Sequence, residues 1–492
     1  MCQVNFLGSQ VGGESVINYS YTDMPWKLVL WDLWYLIKYS PYLVWVLWPL
    51  WPFYGGTFDE LSFTLSHVWC CFIHIILITL QLAFILALPS VAILPGWLFM
   101  SGMAIFFIIN GILCRTLNGS TIQYTSDPKY SPDSEKFRHE QWIFLNGIST
   151  GESWLKDNLD RLALTFGRPI LGIHNRTNGV IFDLLEVIVQ RCFGYPTSDI
   201  RLAYKILKDK LYNPQLTTVI FILHSQGGIE GGLVIDWLLQ EIPQDLLAKL
   251  EVYTFGNAAN HFNNPYRYQK TQEATARTSL VLQNASERVT TLSDNVEKAA
   301  DGNLGNPRPL TPRLSNEGPR EGELHHGSFD RSIGHIEHYA HSSDFVARWG
   351  VLNFVTNSRA SDEIPLFAGQ LFVHQSRGGH LLNQHYLNDM FTLKKNAFGE
   401  FTGCADSNEF MDSVIKPPPQ GECDNATQAI REDLGNGFKT PSRIFQVKPG
   451  GSVREKLYVM EVDALDGPVR VRDVSRLWEY RNGRKPRDKR GT

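Results

Sequence analysis

The chain has 492 residues, room for one large α/β domain with extra segments or for two to three ordinary domains. Its 46 basic and 50 acidic residues leave a net charge of −4, which gives no reason to expect nucleic acid as a partner. Seven cysteines without a C-x-x-C pair, with Cys70, Cys71 and Cys114 inside apolar runs, indicate reduced buried thiols and neither a zinc site nor a disulfide framework.

The first 60 residues are rich in aromatics. "WKLVLWDLWYLIKYSPYLVWVLWPLWPFYGG" (26–56) holds six tryptophans, the charges Lys27, Asp32 and Lys38, and the breakers Pro41, Pro49 and Pro52. Trp and Tyr favour the headgroup level of a bilayer, so this stretch predicts an interfacial or re-entrant segment. From Leu61 to Cys114 there is no Asp, Glu, Lys or Arg. That run accommodates two passes of about 20 residues each. The break "LPSVAILPG" (88–96) divides it into helices expected near 66–88 and 96–114, a transmembrane hairpin within 61–115. Lys27, Lys38, Arg115, Lys129, Lys136 and Arg138 flank its outer ends, whereas the hairpin loop has no basic residue. The positive-inside tendency then predicts an integral membrane protein with its body in the cytosol and its N-x-S/T sequons (Asn18, Asn118, Asn175, Asn284, Asn425) unglycosylated.

Residues 116–139 are polar and irregular and read as a tether. The domain expected over 140–400 then alternates strand and helix. "QWIFLNGIST" is a strand running into a turn, and "GESWLKDNLDRLALTFG" is an amphipathic helix with Trp154, Leu155, Leu159 and Leu162 on one side. "RPILGIHN" is a strand; "GVIFDLLEVIVQRC" and "DIRLAYKILKDKLY" are helices. "TTVIFILHSQGGIEGGLVIDWLLQ" (217–240) is a strand, a tight turn and a helix, and "KLEVYTFGNAAN" is a further strand. This rhythm predicts a largely parallel sheet with helices on both faces. A polar, Pro- and Gly-bearing stretch over about 264–333 predicts a disordered insertion. Order resumes with "HIEHYAHSSDFVARWGVLNF" and "GQLFVHQSRGGHLLNQHYLNDMF"; 401–492 reads as a C-terminal extension.

Ser225 lies in the strand–turn–helix context of a nucleophile elbow. Gly227 occupies the position two residues after it, but Leu223 stands where the strict G-x-S-x-G pattern has its first glycine. A serine hydroxyl becomes a competent nucleophile when an imidazole accepts its proton, and a carboxylate fixes that imidazole's tautomer. Asp344 and His380 follow Ser225 in the order Ser, acid, His, each on a loop after a strand. Asp236 and Asp389 compete for the acid role and His385 for the base. Asp344 also suits the N-cap of "FVARWG". Gln226 supplies one oxyanion donor and the loop 146–150 the other, with Gly147 and Ile148 as its candidates. His335, His338 and His341 have the look of a metal cluster, but on a strand their spacing of three puts neighbours on opposite faces. No cofactor or metal is expected.

With "IFLNGI", "LHSQGG", "YTFGNAANHF", "HYAHSSDFV" and "GGHLLNQHYL" in this order, the chain resembles the lipase-like α/β-hydrolases, and more narrowly fungal membrane-anchored hydrolase-like proteins. The resemblance covers about 140–264 and 334–391 together with the N-terminal membrane region. It implies an α/β-hydrolase fold and esterase or lipase-type chemistry on Ser225, Asp344 and His380. The substrate expected is an ester of a lipid or another apolar molecule, met at the bilayer. The alternatives are an accessory hydrolase of a fungal secondary-metabolite pathway and a non-catalytic membrane scaffold retaining the fold.

Overall fold

The computed structural model of the protein describes residues 3–7, 24–51, 53–132, 134–265, 267, 331–356, 367–416 and 468–486. In chain order its strands are β1 (Val4–Leu7), β2 (Gln123–Thr125), β3 (Glu140–Leu145), β4 (Ile170–Ile173), β5 (Thr218–His224), β6 (Leu250–Phe255), β7 (His335–His341), β8 (Gln370–His374), β9 (Leu393–Lys395), β10 (Phe401–Cys404) and β11 (Ile415–Lys416). The main helices are α1 (Pro25–Tyr39), α2 (Leu65–Ala87), α3 (Gly96–Asn118), α4 (Glu152–Phe166), α5 (Val180–Phe193), α6 (Ser198–Tyr212) and α7 (Gly227–Glu241).

Among the described residues nine strands form one sheet, in the order β11-β1-β8-β7-β6-β5-β3-β4-β2, and β9 with β10 forms a separate ribbon. From β4 through β8 all neighbours are parallel, while β2 and β1 add antiparallel strands at either side. The period-2 alternation of β5 divides the core. Val219, Phe221 and Leu223 face the cluster built with α6 and α7, whereas Ile220 and Ile222 face the cluster built with α4. Apolar burial on both faces is what a parallel strand covered by helices requires, so the predicted α/β class holds. On α4 the expected Leu155, Leu159 and Leu162 are buried.

Three expected boundaries need correction. The N-terminal 60 residues are not wholly interfacial, because Val4–Leu7 pairs with β8 from inside the sheet, with Val4 opposite His374. The stretch 116–139 is not a free tether. Gln123–Thr125 joins the edge of the sheet beside β4, and Asp127 N–H donates to the Asp160 carboxylate. The domain also does not close at 400. β11 pairs with β1, and Val471, Leu477, Trp478 and Tyr480 are buried in the core under α4. Each of these pieces is short, and its partners lie far away in sequence, so no local periodicity announces it.

The two apolar helices α2 and α3 follow the expected division closely and are long and apolar enough to cross a membrane. One stripe of α2, comprising Cys70, Ile73, His74, Leu77 and Gln81, is buried against the body. Gln81 Nε2 donates to Asn178 O (2.7 Å) and to Asn110 Oδ1 (2.9 Å), while Gln81 Oε1 accepts from Ile181 N–H (3.1 Å). Asn118 Nδ2 donates to Thr177 O at 2.7 Å. The helix pair is thus riveted to the α4–α5 side of the domain. Two sequon asparagines, Asn118 and Asn175, are buried and hydrogen-bonded, so the folded chain offers neither to a glycan.

The predicted insertion lies almost wholly outside the described residues, but the chain on either side of it is joined. Asn264 accepts from Ile333 N–H (2.8 Å) and donates to Ile333 O (3.1 Å), and Ser332 N–H donates to Pro265 O (3.0 Å). A segment with adjoining ends can be shortened at a closure cost of only about 0.6 kcal/mol per halving or doubling. Replacing residues 268–330 with a short Gly-Ser linker is expected to leave thermal unfolding nearly unchanged. A large drop in the midpoint would mean that those residues contribute to the core.

Candidate functional site

The sheet order places the site. The chain leaves β3, adds β4 on one side, then returns to add β5 on the other, so the loops after β3 and β5 diverge from a topological switch point. Leu145 and Leu223 are register partners at the ends of these strands. Gly147 and Ser225, two residues further along each strand, therefore meet. A Cβ at Gly147 would lie 2.5 Å from Ser225 Cβ and 3.0 Å from its Oγ, so only glycine allows this approach.

Ser225 sits at φ +59°, a left-handed conformation that costs a non-glycine residue energy and turns the strand sharply into α7. Its N–H donates to Phe255 O, and its carbonyl accepts from Gly228 and Ala258 N–H. The structure also accounts for Leu223. A Cβ at Gly231 would fall 2.3 Å from Leu223 Cδ1, so the leucine fills the space left by a glycine one helical turn into α7. The missing glycine of the strand is compensated on the helix that packs over it.

Ser225 Oγ donates to His380 Nε2 at 2.8 Å, and His380 Nδ1–H donates to Asp344 Oδ2 at 2.8 Å. This tautomer satisfies both contacts. Asp344 performs two tasks at once, because its Oδ1 caps the short helix Phe345–Trp349 by accepting from Val346 N–H (2.9 Å). Tyr386 Oη–H donates to the same Oδ2 at 2.7 Å. Complete burial pushes the Asp344 carboxyl up, but the adjacent imidazole and the donors from His380, Tyr386 and Val346 outweigh it, leaving the pKa below its ordinary value. Gly256 provides the floor, since a Cβ there would come within 2.9 Å of the His380 ring and 3.0 Å of Asp344 Oδ2.

The rival residues are engaged elsewhere. His385 accepts from Leu381 N–H at Nδ1 (3.0 Å) and donates from Nε2 to Pro49 O (2.8 Å), and burial lowers its pKa to about 4. Asp236 bonds His261 and Asn263. Asp389 contacts His341 (3.2 Å), His374 (2.5 Å) and Arg377 (3.3 Å). His338 points away from His341, bonding Ala368 O on the opposite face of β7. Among the described residues two clusters have the ligand atoms to hold a cation, His341 with His374 and Asp389, and Glu186 with Asp199 and Glu230; in the first the carboxylate bridges the two imidazoles. No protein-family model, curated protein or solved structure matches the chain.

On the other side of Ser225 a buried amide network supports Gln226. Its side chain donates to Gln190 Oε1 (2.9 Å) and accepts from Asn175 Nδ2 (2.7 Å), and Asn175 also donates to Glu230 Oε1 (2.9 Å). Asn146 locks the β3 loop to the same asparagine by bonding Asn175 N–H and Asn175 O. With the side chain of Gln226 tied back, its backbone N–H remains as a donor. Among the described residues that N–H makes no hydrogen bond.

Several parts of the site were not read from the sequence. His224 stacks on His380 with ring centroids 4.8 Å apart and bonds His380 O at 2.8 Å; burial, then the neighbouring imidazole, lowers its pKa to about 3. Its place directly before Ser225 was the available signal. Tyr386 carried none, since 42 residues of chain separate it from Asp344, the residue it serves. Also unforeseen is the aromatic segment 40–51. Gly379 N–H donates to Trp45 O (2.8 Å), and His380 N–H donates to Val46 O (3.2 Å), so this segment lies over the His380 loop. Ser225, bonded to His380, is only 4% exposed.

Tyr386→Phe removes one of the donors to a buried carboxylate. A hydrogen bond to a charged group contributes about 1.5–3 kcal/mol, so a loss in that range is expected in urea unfolding. Unchanged stability would show that the Tyr386 hydroxyl contributes nothing to holding Asp344.

Proposed function

We propose that the protein is a membrane-anchored serine hydrolase of the α/β-hydrolase type that cleaves an ester of a lipid or another apolar molecule. The observation that carries this reading is the continuous relay Ser225 Oγ–His380–Asp344, with both links at 2.8 Å, on loops at the carboxyl ends of β5, β7 and β8. The strained elbow, the Ser–Asp–His order and a glycine-bearing loop after β3 support the same fold type.

In this mechanism Ser225 Oγ attacks the ester carbonyl carbon as its proton passes to His380 Nε2. The Asp344 carboxylate stabilises the imidazolium and keeps Nδ1 protonated. The negative charge that develops on the carbonyl oxygen is met by backbone N–H groups of Gln226 and of the Gly147–Ile148 loop. Losing one such donor typically raises the barrier by about 3–4 kcal/mol. His380 then protonates the departing alkoxide, and water, activated by the same imidazole, releases the acid from Ser225. None of these steps calls on a cofactor.

The membrane part of the proposal rests on α2 and α3, both long and apolar enough to span. Basic residues at their outer ends favour a cytosolic body. An anchor of this kind concentrates apolar esters around the site.

A fluorophosphonate probe tests the reading. Labelling of the wild-type protein is expected, with loss in Ser225→Ala and in His380→Ala and retention in His385→Asn. Ester hydrolysis by Ser225→Ala should fall by about three or more orders of magnitude while the fold survives. Labelling of Ser225→Ala at the wild-type level would overturn the assignment, and a folded wild-type protein that never labels would favour the scaffold.

A further inference from the structure

The helix α5 is inverted. A helix on the surface of a water-soluble domain turns its apolar face inward and its charges outward. On α5 the buried positions include Asp183, Gln190 and Arg191. Asp183 accepts from Ser149 N–H, Asn178 N–H and the Thr177 hydroxyl, while Arg191 pairs with Asp32 of α1 at 2.7 Å and donates to Ala258 O and Trp349 O. Glu186, the remaining charge, is half-buried and accepts from Gln190. The outward positions are Leu184, Leu185, Val189 and Phe193, followed by Tyr195, each 40–57% exposed.

The flanking elements share this pattern. At one end of α5, Phe182 packs edge-on against Phe84 of α2 and Phe106 of α3. Towards the other end, Arg191 meets α1, whose single acid Asp32 is buried and whose outer face carries Trp26, Trp31, Trp34 and Ile37, all more than half exposed. Exposed apolar side chains are therefore carried by three neighbouring elements, the hairpin, α5 and α1, with α2 and α1 both packed against α5. Patches on soluble monomers rarely exceed a few hundred Å².

The hairpin's dimensions point the same way. Gln81 and Asn110 both reach the Asn178 carbonyl, which fixes both helices to the body at that level. Beyond it α3 retains only the 14 residues from Gly96 to Ile109, about 21 Å at 1.5 Å per residue, against a hydrocarbon thickness of about 30 Å. A body held clear of the bilayer would leave the hairpin short. Seating α5 in the acyl boundary makes up the difference.

We infer that the outer faces of α5 and α1 are a second bilayer-contacting surface, continuous with the hairpin, so that the α/β body is partly sunk into the leaflet it is anchored to. This rests on the membrane reading of α2 and α3, and the experiment separates the two. The photoreactive residue p-benzoylphenylalanine is placed singly at Leu185, Phe193, Ile105 (outward on α3) and Lys205 (outward on α6) in the full chain, reconstituted in phosphatidylcholine vesicles. Lipid adducts are then read by mass spectrometry. The expected result is adducts at Leu185 and Phe193 at the level of Ile105, and none at Lys205. Adducts at Ile105 with none at Leu185 and Phe193 would overturn the inference while leaving the anchor intact. No adducts at Ile105 would overturn the anchor itself.

Discussion

The close seating of α7 on the carboxyl end of β5 is the constraint to which the rest of the site is fitted. Ser225 can point into the crevice only if the chain reverses within two residues, and it can reverse only if the helix starts almost on top of the strand. Glycine at 227, 228 and 231 removes the side chains that would collide with Leu145 O, Asn257 and Leu223. With α7 in place, Gly147 and the β3 loop close on one side of the serine. His380, resting on Gly256, closes on the other. Widening this seam by one methyl group would shift the groups that the proposed chemistry needs aligned.

Polar groups on the two sides of Ser225 form two connected sets. One runs from Asn146 through Asn175 to Gln226, Gln190 and Glu230 and holds the backbone around the proposed oxyanion position. The other runs from Tyr386 through Asp344 to His380 and His224 and holds the His380 imidazole. Buried groups of this kind stabilise only when their partners are present, because an unpaired buried charge or donor costs several times what its hydrogen bond contributes. The second set reaches Ser225 through His380, and the first ends at Gln226 beside it. Geometry on either side of Ser225 is thus maintained by separate networks.

Much of this was legible in the sequence wherever an element declares itself locally. The alternation of "TVIFILH", the stripe of Leu155, Leu159 and Leu162 and the charge-free run from Leu61 each fix an element without knowledge of its neighbours. Ser225, Asp344 and His380 could be named because chain order and post-strand loops constrain them. Contributions made through distant pairing were not legible. Val4–Leu7 is too short to show a period, Gln123–Thr125 lies in a polar stretch, and Trp478 and Tyr480 close the core from the far end of the chain. The compensation of Leu223 by Gly231 is of the same kind, since a spacing rule along the chain does not register space vacated on the opposing helix. The aromatic run 26–56 was read for its affinity to membranes, but its position over the His380 loop depends on backbone bonds from Trp45 and Val46 that no side-chain pattern encodes.

Asp344 illustrates how one atom pair can bind two inheritances together. Its Oδ1 begins a helix and its Oδ2 orients an imidazole, so the architecture and the proposed chemistry draw on a single codon. A lineage that no longer needed the chemistry would still be penalised for losing the cap, so an aspartate retained here does not by itself report activity. Asparagine could keep the cap oxygen while withdrawing the charge. Among descendants of such a chain, Asp-to-Asn exchange at 344 is where a silent fold would part from a working one.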